Sequence, residues 1–401
     1  MLIKRRNFLQ IGSLASASLM LPKLLKAFEN PNLIKVPQGN KVLIVLQFNG
    51  GNDGLNTVVP ISNDIYYKLR PKIAIDKSKA LGLTDEVGLH PSLTALKELY
   101  NNGELSILNN VGYDNPDRSH FRSMDIWQTA SKSNETWQTG WLGRYLDTQC
   151  ANCDKPTQAL ELDDTLSLAM KGAKQKALAL KDPKKLFAQS QEKYLKTLAA
   201  AHHHQDHEKP VDYLYKTMAE TISSAEYIYK QSNIRPSLAS YPNTELAKSF
   251  KTISSLVLSD VNTKVYYVSL GSFDTHVNQE NTQQRLFNEL NGAVDAFVKD
   301  MKANGRFEDI LLMTFSEFGR RVGQNASGGT DHGTANNMFL MSGALKQKGL
   351  LNPMADLSNL IDGDLRYQVD FKSVYATVLR KWLGANDAEI LGRQYDYLSF
   401  V

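Results

Sequence analysis

Cysteine is scarce: Cys150 and Cys153 are the only two in 401 residues, which excludes a disulfide-stapled scaffold and a four-thiolate zinc site. The pair forms a lone C-x-x-C followed by Asp154 rather than histidine, so it is not a c-type haem attachment site. A local disulfide in an oxidising compartment is the expected use, with a redox-active pair as the alternative. No G-x-G-x-x-G fingerprint supports a dinucleotide-dependent oxidoreductase. Long apolar runs are missing too. The stretch Phe8 to Leu21 covers about 14 residues, short of the ~20 needed to span a bilayer, and no membrane span is expected in the mature protein. Net charge is small. Five of the 46 basic residues (Lys4, Arg5, Arg6, Lys23, Lys26) fall in the first 27 positions, which hold no acid, leaving 41 basic residues against 42 acidic ones. That balance gives no electrostatic case for nucleic acid. Internal repeats and low-complexity linkers are absent as well, which favours one domain over about 40–395.

What is present begins with an export-type leader over residues 1–27. Lys4-Arg5-Arg6 supply its charged region and Phe8 to Leu21 its apolar one. Arg5-Arg6-Asn7-Phe8-Leu9 resembles the twin-arginine export motif, with a general secretory signal or an uncleaved anchor as the rival reading. The mature protein is therefore expected in the periplasm or otherwise outside the cytoplasm.

Apolar runs and helical periodicities then alternate. Lys41 to Phe48 reads as a strand ending in Asn49-Gly50-Gly51-Asn52-Asp53-Gly54, whose glycines let the backbone turn sharply and approach a ligand. Pro91 to Tyr100 has helical spacing, Leu105 to Val111 reads as a strand, and Ser119 is placed to cap a helix running through Trp127. The region from about 180 to 260, with Lys184–Ala201, Val211–Gln231 and Glu245–Ser259, reads as a helical insertion. Strands return at Val265–Leu270 and Asp309–Thr314, separated by an amphipathic helix over Leu286–Met301. A further apolar run, Met338–Met341, and a last helix, Phe371–Leu383, follow. This order predicts an α/β fold, a doubly wound and mostly parallel sheet with helices on both faces. The run His202 to His207 falls between helical stretches and is read as an exposed loop.

In such sheets ligand sites form outside the carboxyl ends of strands. Three strands end in chemically able residues: Asn52 and Asp53, then Asp274 and His276, then Ser316 and Glu317. Asp331 and His332 join them from the next loop, and Ser119 and His120 stand at a helix start that favours an anion. Carboxylates and neutral imidazoles from separate strand ends suit a hydrolytic metal site, whereas a loop whose Asp331 and His332 serve only hydrogen bonds is the bland alternative.

The phrases Gly50–Thr57, Arg118–Asp125, Ser316–Arg321 and Thr330–Ala335 together resemble an exported bacterial family, the domain of unknown function 1501 family, over about 40 to 395. That family is similar to the alkaline phosphatase and sulfatase superfamily, which implies an alkaline-phosphatase-like sandwich with a metal-assisted site. By that resemblance Asp53, or Asn52, stands at the first-strand metal ligand and Ser119 near the nucleophile. Asp274, His276, Glu317 and His332 fall at or near the remaining metal positions, with Asp331 orienting His332. Ser316-Glu317 departs from the Asp-His or Asp-Asn pair common in the superfamily; an alternative register would make Asp331-His332 that pair. The reading is thus a hydrolase of phosphate or sulfate esters, with Ser119, His120 and Arg122 catalytic. Arg320 and Asn52 would bind substrate, Arg321 is a further anion-binding candidate, and zinc, calcium or manganese would be the divalent metal. Its partner would be a small anionic ester or a sulfated or phosphorylated polymer. The alternative is a non-catalytic exported binding or assembly protein that keeps the fold.

Overall fold

A computed structural model describes residues 40–149, 157–175, 177–193 and 209–401. The leader, Cys150, Cys153 and the run His202 to His207 lie outside the described residues. The central sheet is built around β1 (Val42–Phe48), a seven-residue strand buried along its whole length. The short strands β2 (Val58–Val59), β3 (Leu81–Gly82) and β4 (Gly88–Leu89) form a separate three-stranded sheet. The main sheet is completed by β5 (Leu105–Gly112), β6 (Ala159–Glu161), β7 (Leu178–Ala179), β8 (Val265–Leu270), β9 (Ile310–Ser316), β10 (Asn336–Met341), β11 (Gly349–Leu350) and β12 (Val369–Asp370). Its order is β11-β5-β10-β9-β1-β8-β6-β7, with β12 also on β5. Pairing is mostly parallel; β10 runs antiparallel to both neighbours.

Side chains of β1 alternate between two cores, as the period of two along a strand requires. Ile44, Leu46 and Phe48 enter one core with α3 (Thr94–Asn101), α8 (Glu245–Leu258) and α9 (Gln279–Ala303). Leu43 and Val45 enter the other with α4 (His120–Thr129), α5 (Trp141–Gln149) and α10 (Phe371–Thr377). The remaining helices are α1 (Gly54–Thr57), α2 (Asp64–Leu69), α6 (Pro183–Ser190), α7 (Lys209–Ser232) and α11 (Asp387–Leu391). The result is a three-layer α/β/α arrangement in which each fully buried Leu, Ile or Phe contributes roughly 1.5–3 kcal/mol. Helix α8 places Phe250, Ile253 and Leu256 in the first core, so it belongs to the layer covering the sheet. Among the described residues, no helix is long and apolar enough to cross a membrane.

One buried base reports on this packing. His90 is 7% exposed, its Nδ1 accepts from the Ser92 amide at 3.1 Å, and its ring meets Phe287 edge-on at 4.9 Å. Burial pushes it down to about 4, against the opposing charge of Asp53. The unfolded chain holds a histidine near its ordinary ~6.5, so protons favour the unfolded state between those values. Stability from this residue is present above about 6.5 and is lost as pH falls towards 4, by about 3 kcal/mol. Urea midpoints at pH 7 and 4.5 should therefore differ by less in His90→Asn than in the native chain; an equal difference would refute the assignment.

Candidate metal centre

Strands β9, β1 and β8 are adjacent and parallel, with Phe48 in register with both Ser316 and Leu270. Their carboxyl ends therefore open at one level, and the segments after them meet there. The turn after β1 carries Gly50 at φ +117° and Gly51 at φ +76°, conformations that side chains rarely adopt. A Cβ on Gly50 would lie 2.5 Å from the Asp274 amide, and one on Gly51 would lie 2.2 Å from the Phe318 ring. The two glycines thus let the site-bearing segments close on each other.

Three side chains converge above these ends. Single donor atoms of His120, Asp274 and His332 all lie within 4.8 Å of one another. His276 adjoins them, its Nε2 at 3.1 Å from Asp274 Oδ1 and 3.0 Å from His332 Nε2. The hydrogen-bond partners on the far side of each ring decide what faces inward. His332 Nδ1 donates to the Arg118 carbonyl at 2.8 Å. His120 Nδ1 meets Glu317 Oε1 at 3.0 Å, and His276 Nδ1 meets Asp331 Oδ1 at 3.2 Å. With the ring hydrogens at Nδ1, all three Nε2 atoms turn inward as acceptors, those of His276 and His332 at 3.1 and 3.2 Å from Asp274 Oδ1. His120 Nε2 is buried without a hydrogen-bond partner, and Asp274 Oδ2 lies 3.5 Å from it. Two lone pairs 3.0 Å apart, as on His276 and His332, repel unless a proton or a cation stands between them. An acceptor holding Nδ1–H behind each inward Nε2 is the arrangement metal-binding histidines use.

Charge is arranged to match. Burial would raise the Asp274 carboxyl, but the hydrogen bond and charge of Arg320, with His332 and His276, outweigh it and hold it at about 2. The Glu317 hydrogen bond raises His120 above the usual histidine value, against burial. Burial lowers His332, against the Arg118 carbonyl and Asp274. Rings pack the site from below, with Phe318 4.9 Å from His120 and 4.7 Å from His332.

Several expected site residues go elsewhere. Asp53 is not brought to the cluster: its carboxylate forms a buried double ion pair with Arg70, at 2.5 and 3.0 Å, and accepts from Gln279. Asn52 is buried, its side chain bonded to Thr57 at 2.8 Å and Gln283 at 3.3 Å, so it faces the core instead of substrate. Glu317 is fully buried and bonds His120 and the Gly50 amide, so it orients the His120 ring from behind. Ser316 ties β9 to the turn, accepting from the Asn52 amide and donating to the Phe48 carbonyl. Arg122 donates to the carbonyls of Lys132, Ser133 and Glu135, which fixes a loop. Arg320 is buried and serves the carbonyls of Gly50, Gly51, Phe273 and Thr330 besides Asp274, so it positions Asp274. Arg321 approaches Asp364 at 3.9 Å. Ser119 is the exposed N-cap residue of α4 and makes no side-chain capping bond; its amide donates to Asp117. Asp331 orients His276, not His332. The Arg118 carbonyl, Phe318, and Ser123, which donates to the Glu317 carbonyl, were not foreseen. A backbone acceptor leaves no mark in sequence, although Ser123 and Phe318 both sit inside the motifs named above.

This architecture and site define an α/β protein with a histidine and aspartate group able to hold a metal at its strand ends. The chain belongs to the family described as protein of unknown function (DUF1501), whose model matches residues 40–380. No curated protein matches it. Among solved structures it is similar to the PsFucS1 sulfatase from Pseudoalteromonas sp., at 11% identity, covering 94% of this chain and 74% of that one, with a TM-score of 0.41. A phosphonate monoester hydrolase from Silicibacter pomeroyi gives 7% identity, 89% and 78% coverage, and a TM-score of 0.40. A protein in the alkaline phosphatase superfamily from Vibrio parahaemolyticus gives 10% identity, 90% and 70% coverage, and 0.39.

Proposed function

We propose that the protein is a metal-dependent hydrolase of phosphate or sulfate esters that works outside the cytoplasm. The observation that carries this is the convergence of three Nε2 lone pairs on Asp274, each ring fixed from behind by Glu317, Asp331 or the Arg118 carbonyl. His120, His276, His332 and Asp274 would hold the ion, and so nitrogen-rich a set suits zinc better than calcium or manganese, which favour oxygen ligands. A divalent cation there would polarise an ester oxygen and lower the pKa of a bound water. The chain's own contribution is to position and to neutralise. Arg320 keeps Asp274 anionic from beneath, and Glu317 makes His120 a stronger base. The exposed hydroxyl of Ser119, one residue from His120, and a water are the two nucleophiles open to it.

Purified protein should carry about one divalent ion per chain and hydrolyse an aryl phosphate or aryl sulfate, with turnover abolished by chelation and restored by zinc. Absence of bound metal after zinc reconstitution would overturn the reading. A second reading has its own observation: the guanidinium of Arg320 is taken up on all three nitrogens by four carbonyls and Asp274, so it offers no free fork to an anion. A metal-loaded protein without turnover of either ester would favour that reading, an exported binding module.

A further inference from the structure

A cavity of about 350 Å³ opens beside His120, between α4 and the ends of β1, β6 and β8. Apart from His120, its charged lining is Asp125, Glu161 and Asp163, and neither lysine nor arginine lines it. Glu161 is only 3% exposed; its Oε2 accepts the Ser167 amide at 2.7 Å. Two lysines stand near this wall but outside the lining: Lys171, whose charge acts on Glu161, and Lys181, 3.8 Å from Asp163 and bonded also to Asp164. Phe121, at 87% exposure, stands in the same lining and offers an aromatic face. Gln47 and Gln128 each spend a carbonyl oxygen on the protein, accepting from Tyr267 and the Leu168 amide; Gln128 also bonds the Tyr267 hydroxyl, and the Gln47 amide group is left to donate to a hydroxyl group.

We propose that this cavity receives the alcohol part of the ester and selects one that carries a protonated amine. The inference rests on the hydrolase reading for the word ester, but the cavity's chemistry stands apart from it. Buried carboxylate, two further acids and an aromatic face attract an ammonium ion and repel an anion. The wall thus disfavours densely sulfated or phosphorylated chains, whose neighbouring charges would enter it. Burial pushes the Glu161 carboxyl up to about 7, against the Ser167 bonds, and an ammonium ion brought beside it favours its ionised form.

The test is a matched pair of sugar phosphates that differ in one charge, glucosamine 6-phosphate and glucose 6-phosphate, with the open-chain 6-phosphogluconate as a more anionic comparison. Binding to the metal-loaded protein is measured by titration calorimetry, alongside free glucosamine and free glucose. We expect affinity to fall in that order by about tenfold per unit of charge, and glucosamine to bind more tightly than glucose. In Glu161→Gln and in Asp125→Asn, which alters a partly exposed residue, each step should shrink to about twofold. Equal binding across the series, or an undiminished preference in folded variants, overturns the proposal. Aryl phosphate turnover without any charge preference removes the cavity inference and leaves the hydrolase. Preference for free glucosamine without turnover of any ester keeps the cavity and removes the hydrolase.

Discussion

Replacing His332 with alanine is expected to lower zinc affinity by well over ~100-fold and to abolish ester hydrolysis, because a direct donor and its preset tautomer are lost together. Replacing Glu317 with glutamine separates the two effects. The amide oxygen still accepts the Nδ1–H of His120, but the negative charge that strengthens the opposite nitrogen is gone. A loss of about 10–100-fold in metal affinity is expected there, the usual scale for a residue that holds a ligand from behind. Competition with a chromogenic chelator measures both, and circular dichroism verifies that each variant is folded. If His332→Ala kept native zinc affinity, the centre described here would be wrong.

The second large effect is on stability. Arg70 and Asp53 are buried to 0% and 1% side-chain exposure, and the guanidinium also donates to the carbonyls of Arg321 and Val322. Arg70→Ala strands a carboxylate in the interior with only Gln279 and the Leu55 amide for partners, and should cost about 3–5 kcal/mol. Arg70→Met with Asp53→Leu removes both charges and should recover much of that loss. Urea unfolding of the three proteins decides it. A loss under about 1 kcal/mol in Arg70→Ala would contradict the pairing. Metal content per folded molecule should stay unchanged in Arg70→Ala, which distinguishes this pair from the centre above it.

The contrast between these two sites shows what was legible. Val42–Phe48, Val265–Leu270 and Ile310–Ser316 stand out in sequence because strands buried on both faces read as apolar runs. Their parallel order then places Asp274, His276 and the 316–317 pair at one edge. Which carboxylate faces the centre was not legible. Asp53 stands at a strand end like Asp274, and only the arrival of Arg70, 17 residues further on, commits it to the interior. Arginines misled for a related reason. Arg320 and Arg122 lie beside acids and histidines in sequence, yet their acceptors are mostly carbonyls, which every residue carries. Glu317 departs from a metal-binding pair in sequence; its place in the fold is to hold His120, a ring drawn from a helix start nearly 200 residues earlier.

The donors on α4, after β8 and before β10 come from remote parts of the chain and share a neighbourhood only once all the strands are paired. An unfolded chain lacks this assembled set of donors, so a cation bound at the centre would favour the native state, less whatever the local His202–His207 run binds in the unfolded chain. At a free ion level ~100 times its dissociation constant, the cation would add about 2.7 kcal/mol to the folding equilibrium. A cation held there would act as a rivet across the carboxyl edge of the sheet, and the supply of metal in the surroundings would set how firmly the sheet is closed.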